Sequence, residues 1–384
     1  MALGSAAAPA PGRDLRIDFF RGMALLTIFV DHVSGNPWNL WTLREYGLVT
    51  ALDVFILLAG VSGYLAYGTR LGNRWADSKD GLRRLGRRIL TVYGAHLGLV
   101  AGLLLLGAVV SLLWPSYPVL GYLQVGRLVD DPVPTALQVL TLSFQPLFCG
   151  ILPVYVLLLP TLPLVVWGLR RSWLLPIGVG VVLLAVADLG GPGPSGGTYD
   201  WRIDPSKWFV VYAAGIVLGS RVGRPRARTA AHWWTGLAIG WLLFTLLDDA
   251  PWQAIPALRD VTAPTVVLGL DLSAQPWTQP LRLLSLAAAV WLVVRWVPRG
   301  AGWLTTGWAQ AVSRVGAASL PVFVLGAVLS AAGTILAEGM GGTFAGYTLV
   351  TASGVALLLW LPRLRTVRRP RRPAATVPTT TSAT

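Results

Sequence analysis

Residues 21–32 read RGMALLTIFVDH, a stretch apolar apart from Thr27 that lies between an Arg-Gly start and an Asp-His end. A segment this apolar belongs in hydrocarbon, yet ionisable groups close it at both ends. At about 100° per residue the eleven steps from Arg21 to His32 make roughly three full turns, so the two side chains share one helix face, about 16 Å apart along the axis. Asp18 falls on the same face, whereas Asp31 points about 100° away. Charged groups on a lipid-facing stripe cost several kcal/mol, so Asp18, Arg21 and His32 are expected to face a helix bundle or a water-filled cavity. A structural alternative stays open, with Asp18 paired to Arg21 near an interface and His32 capping the far end of the helix.

The rest of the 384-residue chain repeats this pattern. It is 54% hydrophobic and 12% charged, and its apolar runs of helix length are broken by Gly, Pro or Arg clusters, which marks an all-α polytopic membrane protein rather than a soluble one. Ten windows are expected to cross the bilayer: 17–35, 47–69, 89–113, 146–169, 172–189, 207–220, 232–249, 281–297, 316–337 and 345–362. The net charge of +14 does not point to nucleic acid, because the basic residues lie in short connections between spans. With both termini cytoplasmic, only Arg44, Arg127, Arg202, Lys207, Arg259 and Arg282 of the 31 Lys and Arg fall outside, as the positive-inside rule requires.

Residues 1–12 have neither a basic start nor a cleavage site and are expected to form a disordered lead. Residues 13–363 form the transmembrane unit. Residues 364–384 are basic and then rich in Pro and Thr, a disordered cytoplasmic tail on anionic lipid. The single cysteine, Cys149, excludes an intramolecular disulfide. Histidines 32, 96 and 232 lack ligand spacing, so no metal site is expected.

The second span begins TALDVFILLAG from Thr50. An antiparallel neighbour would bring Asp53 to the depth of His32, where a carboxylate fixes an imidazole tautomer and raises its basicity, as a general base for a hydroxyl requires. Asp53 as a first-turn acid of its own helix is the alternative. The third span opens GLRRLGRRILTVYGAHL from Gly81. Arg84 shares a face with Arg87 and with Arg88 at i+3 and i+4, a spacing that could grip phosphate or serve topology alone. His96, two turns deeper, is either a pocket residue or a buried structural histidine.

Five stretches together resemble the membrane acyltransferase 3 superfamily, and within it the OpgC type that succinylates periplasmic glucans. RIDFFRGMALLTIFVDHVSGNPWNLWTLREYGLVTALDVFILLAG (residues 16–60) is similar to the family's opening helix pair, including Arg, ten residues, then His, with Asn36 and Thr42 following. RRLGRRILTVYGAHL (83–97) is similar to its arginine-rich third helix. FQPLFCGILPVYVLLL (144–159), WRIDPSKWFVVYAAGIVLG (201–219) and SRVGAASLPVFVLGAVLS (313–330) resemble later segments. The chain departs from the pattern with Asp53 in place of Glu, with Leu58-Ala59-Gly60 in place of Leu-Ser-Gly, and with Ala317-Ala318 before Ser319.

The resemblance implies a bacterial inner-membrane O-acyltransferase that holds no bound cofactor and takes cytoplasmic acyl-CoA, succinyl-CoA in the OpgC type, as co-substrate for a glycan hydroxyl on the far side. It implies His32 as catalytic base, Arg21 as a donor-side or channel residue and the region of Arg84 and Arg87, with Arg88 beside them, as a CoA-phosphate contact; Asp18, Asn36, Thr42, His96 and Ser319 are candidate pocket residues. Tyr199 and Trp201, in the loop at 190–206, are candidate platforms for a sugar ring. A proton-coupled transporter or flippase using the same polar stripe is the rival reading.

Overall fold

The computed structural model describes residues 14–45, 47–71, 78–189, 204–222, 232–248 and 278–367. It is all-helical, and each of the ten apolar windows contains a helix. In chain order these begin with α1 (Leu15–Asp31), α2 (Ala51–Ala66) and α3 (Lys79–Leu113). Three short helices follow, α4 (Val119–Tyr122), α5 (Gly126–Asp130) and α6 (Pro132–Leu140). The bundle continues with α7 (Ile151–Leu158), α8 (Leu162–Arg171), α9 (Leu174–Leu189), α10 (Pro205–Ser220), α11 (His232–Asp248), α12 (Thr278–Trp296), α13 (Gly307–Ala317), α14 (Ser319–Gly339) and α15 (Phe344–Val367). Among the described residues, five helical segments are long and apolar enough to cross a membrane: Ala51–Arg70, Lys79–Leu113, Ile151–Arg171, Ser319–Gly339 and Phe344–Leu364.

Local chemistry sets the helix ends. Asp14 caps α1 by accepting from the Arg16 amide at 3.2 Å. Thr50 and Asp53 close a reciprocal capping box on α2, satisfying two amides that the first turn would otherwise leave unpaired. The third span runs well beyond the expected 89–113. α3 is one helix of 35 residues, about 52 Å long against a hydrocarbon core of about 30 Å. Its basic first turns therefore continue the same rod beyond the apolar part.

Small residues let the helices around α1 and α2 approach closely. A Cβ at Gly316 of α13 would collide with the Asp18 carbonyl of α1, and one at Gly22 with the Val312 carbonyl. Gly60 of α2 and Gly215 of α10 meet in the same way. Backbone contact of this kind is the usual means of tight helix packing in lipid, where no hydrophobic force drives helices together. It fixes the rotation of α1, and with it the direction in which the polar stripe faces.

Candidate active site

The stripe borders two cavities stacked along α1. The first, about 250 Å³, lies near the lower end of the roughly 300–1,000 Å³ range of ligand sites. It is bordered by Arg21, Ser62, Tyr67, Arg88, Tyr155 and Ser319. On α2 the residues Phe55, Ala59, Ser62 and Ala66 recur at helical spacing and form one wall, and the small side chains among them leave the space. Arg21 donates from Nη2 to the Leu58 carbonyl at 2.7 Å and also to the Ser62 hydroxyl. Two guanidinium groups, two phenols and two hydroxyls converge here, a donor-rich set suited to phosphate or carboxylate oxygens.

The second cavity, about 20 Å³, touches His32 and is lined by apolar side chains of α1, α7 and α14 and by Ser330. That is room for about one water. His32 follows the last residue of α1, and its Nδ1 donates to the Ile28 carbonyl at 2.6 Å. A neutral imidazole that donates from Nδ1 has Nε2 as its acceptor, so the helix's own backbone fixes the tautomer that a general base needs. The Phe148 ring meets the imidazole edge-on, with centroids 5.5 Å apart. Phe148 has φ +67°, a left-handed conformation that costs an L-residue about 1–2 kcal/mol. Strain of this kind concentrates at functional sites.

Ile151 and Phe323 line both cavities. Phe323 stacks on Phe55 with centroids 6.2 Å apart, so two side chains form the partition between the arginine chamber and His32.

The sequence profile of the OpgC protein family matches residues 13–369, nearly the whole chain. The chain belongs to the OpgC family. No curated protein and no solved structure matches it. OpgC-family membership, within the acyltransferase 3 group, together with the long apolar helices, makes this a multi-pass membrane acyltransferase that acts on an extracytoplasmic substrate.

The OpgC-family chain brings only part of the expected set of residues together. Arg21, Arg88 and Ser319 meet in the larger chamber. Arg84 and Arg87 are exposed, and Arg84 pairs with Asp80 at 2.9 Å on the same helix. Asp18 is buried where α1 crosses α13. Asn36 is buried, donates to the Val30 carbonyl and Thr351, and caps the short turn at Pro37–Trp41. Thr42 donates to the Asn39 carbonyl at 2.8 Å. His96 is fully buried within the bundle, and neither ring nitrogen has a hydrogen-bond partner among the described residues. Tyr199 and Trp201 lie outside the described residues.

The expected pairing of Asp53 with His32 is not made. Asp53, fully buried, accepts from the Thr50 amide at 2.9 Å and the Thr50 hydroxyl at 2.7 Å, and its other oxygen lies 3.5 Å from Nε of Arg282. The reason is azimuth. Asp53 starts two residues before Phe55, about 200° round α2 from the wall that lines the chamber. It therefore points toward α12, where Arg282 also lies 4.4 Å over the Trp208 ring. Arg282, Phe148, Phe323, Tyr67 and Tyr155 were not singled out from the sequence. Only Arg282 carried any signal, as one of the few basic residues on the side expected to face outward.

Proposed function

We propose that this acyltransferase moves a succinyl group from cytoplasmic acyl-CoA to a hydroxyl of an extracytoplasmic glycan, and that His32 is the general base. One observation carries the reading: an arginine-lined chamber and a histidine-bordered cavity lie in succession along α1, with Ile151 and Phe323 lining both. In this reading the ten helices run with both termini inside. Residues 13–363 are the transmembrane unit, flanked by a lead at 1–12 and a tail at 364–384.

Arg21 and Arg88 hold the anionic part of the donor, Arg84 and Arg87 extend that basic surface toward the cytoplasm, and the thin pantetheine arm reaches past Phe323. Nε2 of His32 takes the proton of the sugar hydroxyl as its oxygen attacks the thioester carbonyl. The tetrahedral intermediate then expels the CoA thiolate, which takes the proton back from the imidazolium. The product is an ester on the glycan, with free CoA thiol. Asp53 takes no part in the proton transfer.

The test is turnover by purified protein in detergent supplied with succinyl-CoA. Thiol release that depends on added glycan, with a matching mass gain on the glycan, supports the reading. Thiol release absent under every acceptor tried, with solute movement in liposomes, supports a transporter instead. A different mass gain would keep the acyltransferase and correct the acyl group.

A further inference from the structure

Helices α11 and α12 pack on one another and stand apart from α1, α2 and α10, leaving an apolar cleft of about 560 Å³ between them. Polar contacts hold the pair to the bundle at both ends. At one end Arg282 of α12 meets Asp53 and the Trp208 face. At the other, Arg16 donates to the Val297 carbonyl at 2.8 Å, and Arg299 lies 3.4 Å from Asp14. The fourteen helical steps from Arg282 to Trp296, where α12 ends, rise roughly 21 Å, about two thirds of a hydrocarbon core, and Arg299 follows three residues later.

A space of that size, fixed open by ion pairs and lined along its length by Phe20, Leu57, Val61, Leu242, Val290 and Val293, offers water little over most of its extent. Its margin is open, since Leu43, Leu243 and Trp296 are exposed. Its chemistry changes at one end only. There two arginines, Arg16 and Arg299, face one carboxylate, Asp14, so a positive charge is left over. Arg299 is 47% exposed, and Trp296 beside it is the residue type that settles at headgroup level. An apolar slot ending in surplus guanidinium charge and an interfacial Trp matches an acyl chain attached to an anionic headgroup.

We propose that this cleft seats one anionic phospholipid, its chain between α2 and α12 and its phosphate at Arg16 and Arg299. The lipid fills the gap that the helices leave and is distinct from the acyl donor, whose chamber is lined by a different face of α2, about 120° round from Val54, Leu57, Leu58 and Val61.

The experiment is native mass spectrometry of the full chain in detergent, titrated with dioleoyl phosphatidylglycerol or dioleoyl phosphatidylcholine. One phosphatidylglycerol should be retained in preference to phosphatidylcholine. Arg299→Ala should weaken it about tenfold or more, the loss expected for one charged hydrogen bond, and Arg299→Lys should restore part. Ala289→Phe, which fills the slot, should remove the bound lipid. Equal retention of the two lipids by the wild type would overturn the proposal. So would unchanged phosphatidylglycerol affinity in Arg299→Ala, or in an Ala289→Phe protein that folds. Arg299 is exposed enough for its variants to fold, so they decide the matter even if Ala289→Phe does not.

Discussion

Replacing Arg282 with Ala leaves Asp53 as an uncompensated carboxylate with no solvent exposure. The guanidinium that neutralises it sits 3.5 Å away and is itself only 13% exposed, so water cannot take its place without loosening the contact that ties the start of α12 to Asp53. Breaking a buried pair from one side costs about 3–5 kcal/mol, a large part of the roughly 5–15 kcal/mol that holds a typical domain together. Asp53→Asn should cost less, because its amide oxygen still accepts from Thr50 and the guanidinium keeps the Trp208 face. The double variant should recover most of what Arg282→Ala loses, since no buried charge is then stranded. Unfolding in mixed micelles across the four proteins of the cycle measures the coupling. The same proteins separate structure from chemistry: Asp53→Asn should leave the pH–rate profile of acyl transfer unmoved. A shifted profile, or an Arg282→Ala protein as stable as wild type, would refute the assignment of Asp53 to the α12 anchor.

Three further outcomes follow from the chamber and the helix ends. Arg88→Ala should raise the KM for acyl-CoA by about tenfold or more, while Arg84→Ala changes it little, because only Arg88 of the cluster lines the chamber; steady-state kinetics with the glycan saturating compares them. Phe323→Ala, by opening the partition to His32, should raise glycan-independent thiol release relative to acceptor-dependent transfer, and an unchanged ratio would mean that Phe323 is not the barrier. Burial alone would lift the Asp14 carboxyl, but its bonds to Arg16 and the charge of Arg299 hold it below the usual carboxylate range. Its contribution is therefore present above the unfolded value near about 4 and lost as pH falls through the lower folded value, so Asp14→Asn should flatten the acid limb of the stability curve.

Which helix carries each of these groups was legible in the sequence, and their azimuth was only partly so. Helical spacing along one uninterrupted helix put Arg21 and His32 on one face, and both border cavities, because α1 is regular from Leu15 to Asp31. Apolar windows located each long helix among the described residues for the same reason. The partner of Asp53 depended on which way α2 is turned, and close contacts at Gly60 and Gly215 set that rotation; such contacts leave no periodic trace. Apart from its last two residues, α13 lies outside every expected window. Its mixed GWAQAVSRVGA sequence has no run of apolar residues, yet its Gly316 seats α1. Phe148 and Phe323 join the site from segments far along the chain, with nothing in their neighbours to show it, and the left-handed backbone at Phe148 falls on a residue that seldom adopts it.

The measurement that bears most directly on the mechanism is the turnover of His32→Ala. His32 ends a helix and spends one nitrogen on a local carbonyl, so the variant should keep wild-type helix content and bind free CoA with wild-type affinity. Its glycan-dependent thiol release should fall by roughly 10²–10⁴, the range for loss of a general base. A folded His32→Ala protein that binds CoA and turns over at the wild-type rate would contradict the account.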